Sequence, residues 1–197
     1  RNRVLNLLHE AQERADEDRA EDARWLFWQA HQMAPRSWHV LERWASFCIA
    51  RLRDFQSGHD LAAEGLRLHP RNPTLWNLKG DALYELKRYP EAEVCYRRTL
   101  EINPREIRGR LNLAYVHLET GRCTEALTVL AEALALDHPG NFRDALMEKQ
   151  RQVLARISQD ARDARIQQLN RFRNLDAPNR PATVTTRRQV RVGSSDT

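Results

Sequence analysis

Pro35, Pro70, Pro104 and Pro139 punctuate the chain at intervals of 35, 34 and 35 residues, and nothing else in the sequence restricts the fold as severely. Proline lacks a backbone N–H and its ring collides with the preceding turn, so a helix cannot run through it; placed just past a helix end, it enforces the stop. A unit of about 34 residues that ends this way holds two short helices and cannot bury an apolar face alone, so the units must stack. Small residues recur at the same lag. Ala11, Ser46, Gly80 and Ala114 form one set, Ala23, Gly58, Ala92 and Ala126 a second, and Ala30, Gly65, Thr99 and Ala133 a third. Small side chains let helix axes approach closely, so one in each helix of a pair marks an antiparallel hairpin repeated along the chain.

The composition agrees. Seven Gly and eight Pro among abundant Ala, Leu, Arg and Glu favour helix over sheet. With 197 residues, 41% hydrophobic and 30% charged, the chain suffices for one ordinary domain or one elongated array. No run approaches the roughly 18 consecutive apolar residues of a membrane span, and the charged start lacks the apolar core of an export signal, so a soluble protein with no membrane association is expected. Cys48, Cys95 and Cys123 are odd in number and widely spaced, which argues against a disulfide framework or zinc site and for a reducing, cytoplasmic location. The first residue is Arg rather than Met, which leaves open a fragment of a longer protein.

Trp76, Gly80, Ala92, Tyr96 and Pro104 carry the clearest copy of the unit, with Lys79 and Leu83 at two further marked positions. This pattern resembles the tetratricopeptide repeat, in which Leu and Tyr stand at those last two positions. The fourth copy keeps Leu113, Gly121, Ala126 and Ala133 but has Arg110 for the Trp; the second keeps Phe55, Leu66 and Pro70 with Glu42 for the Trp; the first keeps Ala23, Phe27, Ala30 and Pro35. The resemblance implies an all-α, right-handed superhelical solenoid of about four helix-turn-helix repeats with a C-terminal capping helix. The expected division is a degenerate first repeat at 1–37, then repeats at 38–72, 73–106 and 107–140, a cap at 141–172 and a basic, flexible tail at 173–197. Asn72 and Pro73 read as the N-cap and first residue of one helix, and Thr124 as the cap of another. In the cap, Leu146, Val153, Ile157, Ala161 and Ala164 share one side, as a helix covering the last apolar face requires; docking a partner or second subunit is the alternative. The tail carries five Arg against two acids from Arg173 onward, and Val184 to Val192 alternate as an added strand would, although a linker reading is favoured.

The sequence holds no catalytic apparatus. The seven His are scattered without metal-ligand spacing, and no phosphate-cradling glycine motif occurs, so neither an enzyme nor a bound cofactor or metal is expected. Cys123 stands where the neighbouring repeats have Phe55 and Tyr89 and reads as packing. Members of the family commonly bind peptides on the concave surface lined by the first helix of each pair. Carried over position by position, that nominates Arg43 and Phe47, with Val40 and Arg51, in the second repeat. It nominates Asn77, Asp81 and Tyr84, with Thr74 and Glu85, in the third, and Arg108, Asn112 and Tyr115, with Leu111 and Leu118, in the fourth. The Lys/Asn/Arg set that clamps a C-terminal carboxylate is not reproduced, because Phe47 and Asp81 occupy places where Asn is wanted. Trp25 and Trp28, three apart on the second helix of the first repeat, fall on the convex side as a partner patch or as residues covered by another element. The function expected is a scaffold or adaptor for a peptide or protein partner. Nucleic-acid binding is the alternative that a net charge of +5 and a pI near 9.5 permit, and a regulatory or substrate-docking segment of a larger enzyme is another. Oligomeric state is left open.

Overall fold

The computed structural model describes residues 2–136 and 142–175, and all the regular structure among them is helical. Four antiparallel pairs follow one another: α1 (Asn2–Asp16) with α2 (Ala20–Met33), α3 (Trp38–Phe47) with α4 (Phe55–Leu68), α5 (Pro73–Glu85) with α6 (Tyr89–Ile102), and α7 (Ile107–Glu119) with α8 (Cys123–Leu136). A longer helix, α9 (Arg143–Leu175), comes last. Pro35, Pro70 and Pro104 each lie two residues past the second helix of a pair, where they stop it without breaking a hydrogen bond. Pro139 and the stretch from 176 to 197, including the alternating valines, lie outside the described residues.

Each hairpin turn is made by one residue in the left-handed region: Asp18 (φ 60), Arg53 (φ 55), Lys87 (φ 63) and Gly121 (φ 77). Beyond it the chain turns back, and the next N–H returns to the first helix: Arg19 to the Arg14 carbonyl, Arg88 to Leu83 and Arg122 to His117, at 2.8–2.9 Å. These are Schellman closures, which satisfy the carbonyls a helix end leaves open. Only Gly121 advertises its conformation in the sequence; Asp18, Arg53 and Lys87 hold theirs through the closure.

The second repeat carries one residue more, and the structure shows where it goes. α3 continues into a π-helical turn, Cys48–Leu52, and its closing bond, Asp54 N–H to the Cys48 carbonyl at 2.9 Å, spans one residue more than the others. The α3 helix is therefore in phase with α5 at a lag of 35, not 34. Ala45, buried, is the counterpart of Gly80, and Ser46, assigned that role from the sequence, is exposed. Phe47 turns inward for the same reason: it is 5% exposed and packs at a tilt against Phe27, 5.1 Å between ring centroids.

Small residues receive large ones between helices. A Cβ on Gly58 would stand 2.4 Å from Ile49, one on Gly65 2.8 Å from Leu75, and one on Gly80 2.5 Å from the Tyr96 ring. Ala23, Ala30, Ala92, Ala114, Ala126 and Ala133 are fully buried in the same seams. The odd-numbered helices also touch one another, α1 with α3, α3 with α5 and α5 with α7, which makes them the inner layer. Asn72 caps α5 as expected, accepting from Thr74 N–H at 2.9 Å and Leu75 N–H at 3.2 Å, with Pro73 first in the helix. Thr124 is not a cap, since α8 begins at Cys123 and the Thr124 hydroxyl donates to Glu125.

The chain divides into two units at Ile157 and Ser158. Within the first, Leu146 and Val153 are fully buried against Ala114, Leu118, Cys123 and Leu130, with Ile157 at the margin, so this part of α9 closes the apolar face of the last pair. In the second, every described side chain from Ser158 to Asn170 is exposed, Ala161 and Ala164 included.

Candidate functional site

The first helices of the pairs bring their side chains to a groove of about 430 Å³. Its walls are Ile49, Ala50 and Arg53 from the π-helical turn and the closure after it, Phe55 at the start of α4, Asp81, Tyr84 and Glu85 from α5, and Arg108, Asn112 and Tyr115 from α7; Tyr96 of α6 reaches its floor. Of the residues nominated from sequence, Asp81, Tyr84, Glu85, Arg108, Asn112 and Tyr115 are brought together here. Phe47 is not among them, being core, and Arg43 is exposed but does not line it. The phase shift explains both: at a lag of 35, the places of Asn77, Asp81 and Tyr84 are taken by Glu42 and Ser46 of α3 and Ile49 of the π-helical turn. Val40 is likewise fully buried, and Arg51 is held by Asp16 at 2.6 Å.

Asp81 organises the floor. Its Oδ1 accepts both from the Tyr96 hydroxyl and from Asn112 Nδ2, each at 2.9 Å, tying α5 to α6 and α7. Burial raises the carboxyl to about 6, a shift that the Tyr96 hydrogen bond and the Arg108 charge only partly oppose. The same burial, with the neighbouring Asp81 charge, pushes the Tyr96 phenol up. Asn112, expected to meet a ligand, thus spends part of its amide holding Asp81. Asn77 is 7% exposed, and its Oδ1 is buried with no donor among the described residues; it borders a smaller recess with Thr74, Leu78, Asp81 and Arg108.

Three tyrosines form a ladder along the wall, Tyr89 to Tyr84 at 5.5 Å and Tyr84 to Tyr115 at 6.4 Å between centroids. Lys149 of α9 caps it, its ammonium 4.1 Å from the Tyr115 ring centroid. Arg53 pairs with Glu85 at 3.2 Å and lies 4.8 Å over the Phe55 ring, whereas Arg108 is exposed with no carboxylate within ion-pair distance among the described residues. Arg53, Phe55, Ile49 and Lys149 escaped the sequence reading. The first three depend on the π-helical turn, and Lys149 on how α9 crosses the last pair; neither leaves a sequence signal.

On α2, Trp25 and Trp28 are 55% and 42% exposed and stack on each other at 4.8 Å, so the nominated patch is a real surface feature separate from the groove. The three cysteines are buried and unpaired, and burial raises the Cys48 and Cys95 thiols to about 11, the reverse of what a nucleophile needs. Among the described residues no cluster of three His, Cys, Asp or Glu side chains could hold a metal ion, and no helix is long and apolar enough to cross a membrane.

Comparison with known proteins matches this geometry. Family models of the tetratricopeptide repeat match residues 73–106 and 109–136. The peroxisomal targeting signal receptor of Saccharomyces cerevisiae is 32% identical over 83 residues, covering 42% of this chain and 14% of that protein. The chain thus spans about a seventh of the length of this curated relative. Among solved structures, pilF of Pseudomonas aeruginosa superposes with a TM-score of 0.69 at 18% identity, covering 80% of this chain and 70% of the other. The first tetratricopeptide domain of Spaghetti (RPAP3), bound to the HSP90 peptide SRMEEVD, gives a TM-score of 0.57 at 18% identity over 61% of this chain and 94% of that one. With two repeats matched by family models and all four hairpins built to one plan, the chain is a tetratricopeptide-repeat protein.

Proposed function

We propose that this chain is an interaction scaffold that holds a peptide or protein segment in the groove of its odd-numbered helices. The observation that carries this reading is the convergence of three successive repeats on one trough of about 430 Å³, beside a buried Asn77 carbonyl that no donor among the described residues satisfies. An unsatisfied buried amide oxygen costs about 1–3 kcal/mol, a deficit that the N–H of an extended ligand would relieve. Tyr84 and Tyr115 offer flat apolar faces, and Arg108 supplies donors for carbonyl or carboxylate oxygens. A receptor for a targeting signal and a domain bound to a chaperone peptide are among the proteins it resembles, which favours the same ligand class. Among the described residues ten arginines lie in ion pairs with acids, and this favours a protein over a nucleic-acid partner. Binding rather than catalysis is the role assigned, and three unpaired cysteines suit a reducing compartment such as the cytoplasm.

The test is affinity capture with the intact chain, a Tyr84→Ala/Arg108→Ala/Tyr115→Ala variant and a Trp25→Ala/Trp28→Ala variant, each checked for native helicity. Loss of the captured partners with the groove variant alone is the expected result. Equal retention by the groove variant, with loss on changing the tryptophans, would move the site to α2.

A further inference from the structure

The sign of the groove narrows its ligand, on the reading that the groove is the binding site. Asp81 lines both the main trough and the recess beside Asn77, yet its two hydrogen bonds fall on one oxygen, and among the described residues no donor reaches Oδ2. A carboxylate held at the floor by two donors on one oxygen is rigid and half unclaimed, the state in which it adds most to a charge-assisted hydrogen bond. Beside it stands Tyr84. Its phenol is pushed up to about 12, chiefly by burial, with smaller contributions from the nearby Glu119 and Glu85 carboxylates. The next ring in the ladder, Tyr115, already carries a cation, the Lys149 ammonium at 4.1 Å. The fold therefore shows on its own tyrosine what the neighbouring one can accept. Of the bases around the trough, Arg53 is engaged by Glu85 and Phe55 and Lys149 by Tyr115, which leaves Arg108 at the rim.

We propose that the groove selects a basic peptide, with a Lys or Arg side chain laid on Tyr84 and donating to Asp81 Oδ2. Arg108 then meets the peptide backbone rather than a ligand carboxylate. The groups facing Asp81 are Glu85 on its own helix, Tyr96 from α6, and Arg108 and Asn112 from α7, and burial raises the Asp81 carboxyl itself to about 6.

The experiment uses the full chain and three fluorescein-labelled decapeptides, identical except for two central positions that are Arg, Gln or Glu, read by fluorescence anisotropy. The Arg peptide is expected to bind at least about tenfold more tightly than the Gln peptide, as one ion-paired, ring-stacked contact provides. Asp81→Asn, which keeps an acceptor for Tyr96 and Asn112, should shrink that ratio to about threefold or less, as should lowering the pH to about 5, below the carboxyl's titration. A thermal melt establishes that the variant folds, and the peptide comparison needs no variant. Preference for the Glu peptide, or an Arg preference indifferent to both Asp81→Asn and pH, would overturn the proposal while leaving the groove as the site. Failure of all three peptides to bind, with protein partners still lost on mutating the groove, also overturns it; if those partners are retained as well, the proposed function falls with it.

Discussion

Replacing Gly80 by alanine tests the seam on which the third repeat depends. The added Cβ would sit 2.5 Å from Tyr96 Cε1 and 2.9 Å from Cδ1 and Cζ, where ordinary contact needs about 3.4 Å or more, so something must move by about 1 Å. The ring has little freedom to yield: Tyr96 is 2% exposed, and its hydroxyl is held by Asp81 at 2.9 Å. Overpacking of this kind costs about 1–3 kcal/mol. Pulling the hydroxyl from a carboxylate adds about 1.5–3 kcal/mol, and alanine returns about 1 kcal/mol of helix propensity. The expected net loss is roughly 2 to 4 kcal/mol, and larger for leucine. Urea denaturation followed by circular dichroism measures it. Gly109→Ala is the control, because its Cβ would meet only the ends of Leu100 and Thr99 side chains at 3.3 Å, and its stability should stay within about 1 kcal/mol of the parent. Combining Gly80→Ala with Tyr96→Leu should recover much of the steric cost. A Gly80→Ala variant as stable as the parent, or one whose loss persists in full beside Tyr96→Leu, would refute the argument.

Asp81 titrates at about 6 in the folded state, above its unfolded value of 3.8, so its protonation favours the fold: its contribution to stability should be complete below about 4 and be lost as pH rises through 6, and Asp81→Asn should remove that component of the slope in thermal melts. Glu93 behaves oppositely. Hydrogen bonds from Arg122 at 2.5 Å and Arg97 at 2.8 Å hold its carboxyl down at about 2, so its contribution is present above the unfolded 4.5 and is lost as pH falls through 2; Glu93→Gln should cost about 1 kcal/mol near neutrality by unlinking α6 from the turn before α8. Cys48 and Cys95, buried with thiols raised to about 11, should react with iodoacetamide only when the chain unfolds, and rapid labelling of the native protein would contradict their placement.

What the sequence determined by itself is the repeat. Small residues and prolines at a lag of 34 or 35 follow from close packing and helix termination, which are local or nearest-neighbour demands, and so they stay visible in one dimension. Asn72 before Pro73, the burial of Ala23, Ala92 and Ala126, and six of the groove's side chains were legible on that basis. What only the tertiary structure decided is phase and crossing. One extra residue in the second repeat could be placed before α3 or within it, and the choice of a π-helical turn at Cys48–Leu52 sends Phe47 to the core and Ile49 to the groove. A helix turns about 100° per residue, so a one-residue error in register reassigns every side chain of the element. The union of Asp81, Tyr96 and Asn112, and the reach of Lys149 onto Tyr115, belong to the same class. They join residues 15 to 34 positions apart through the angle at which one helix meets another, and that angle is set by packing that no local pattern records.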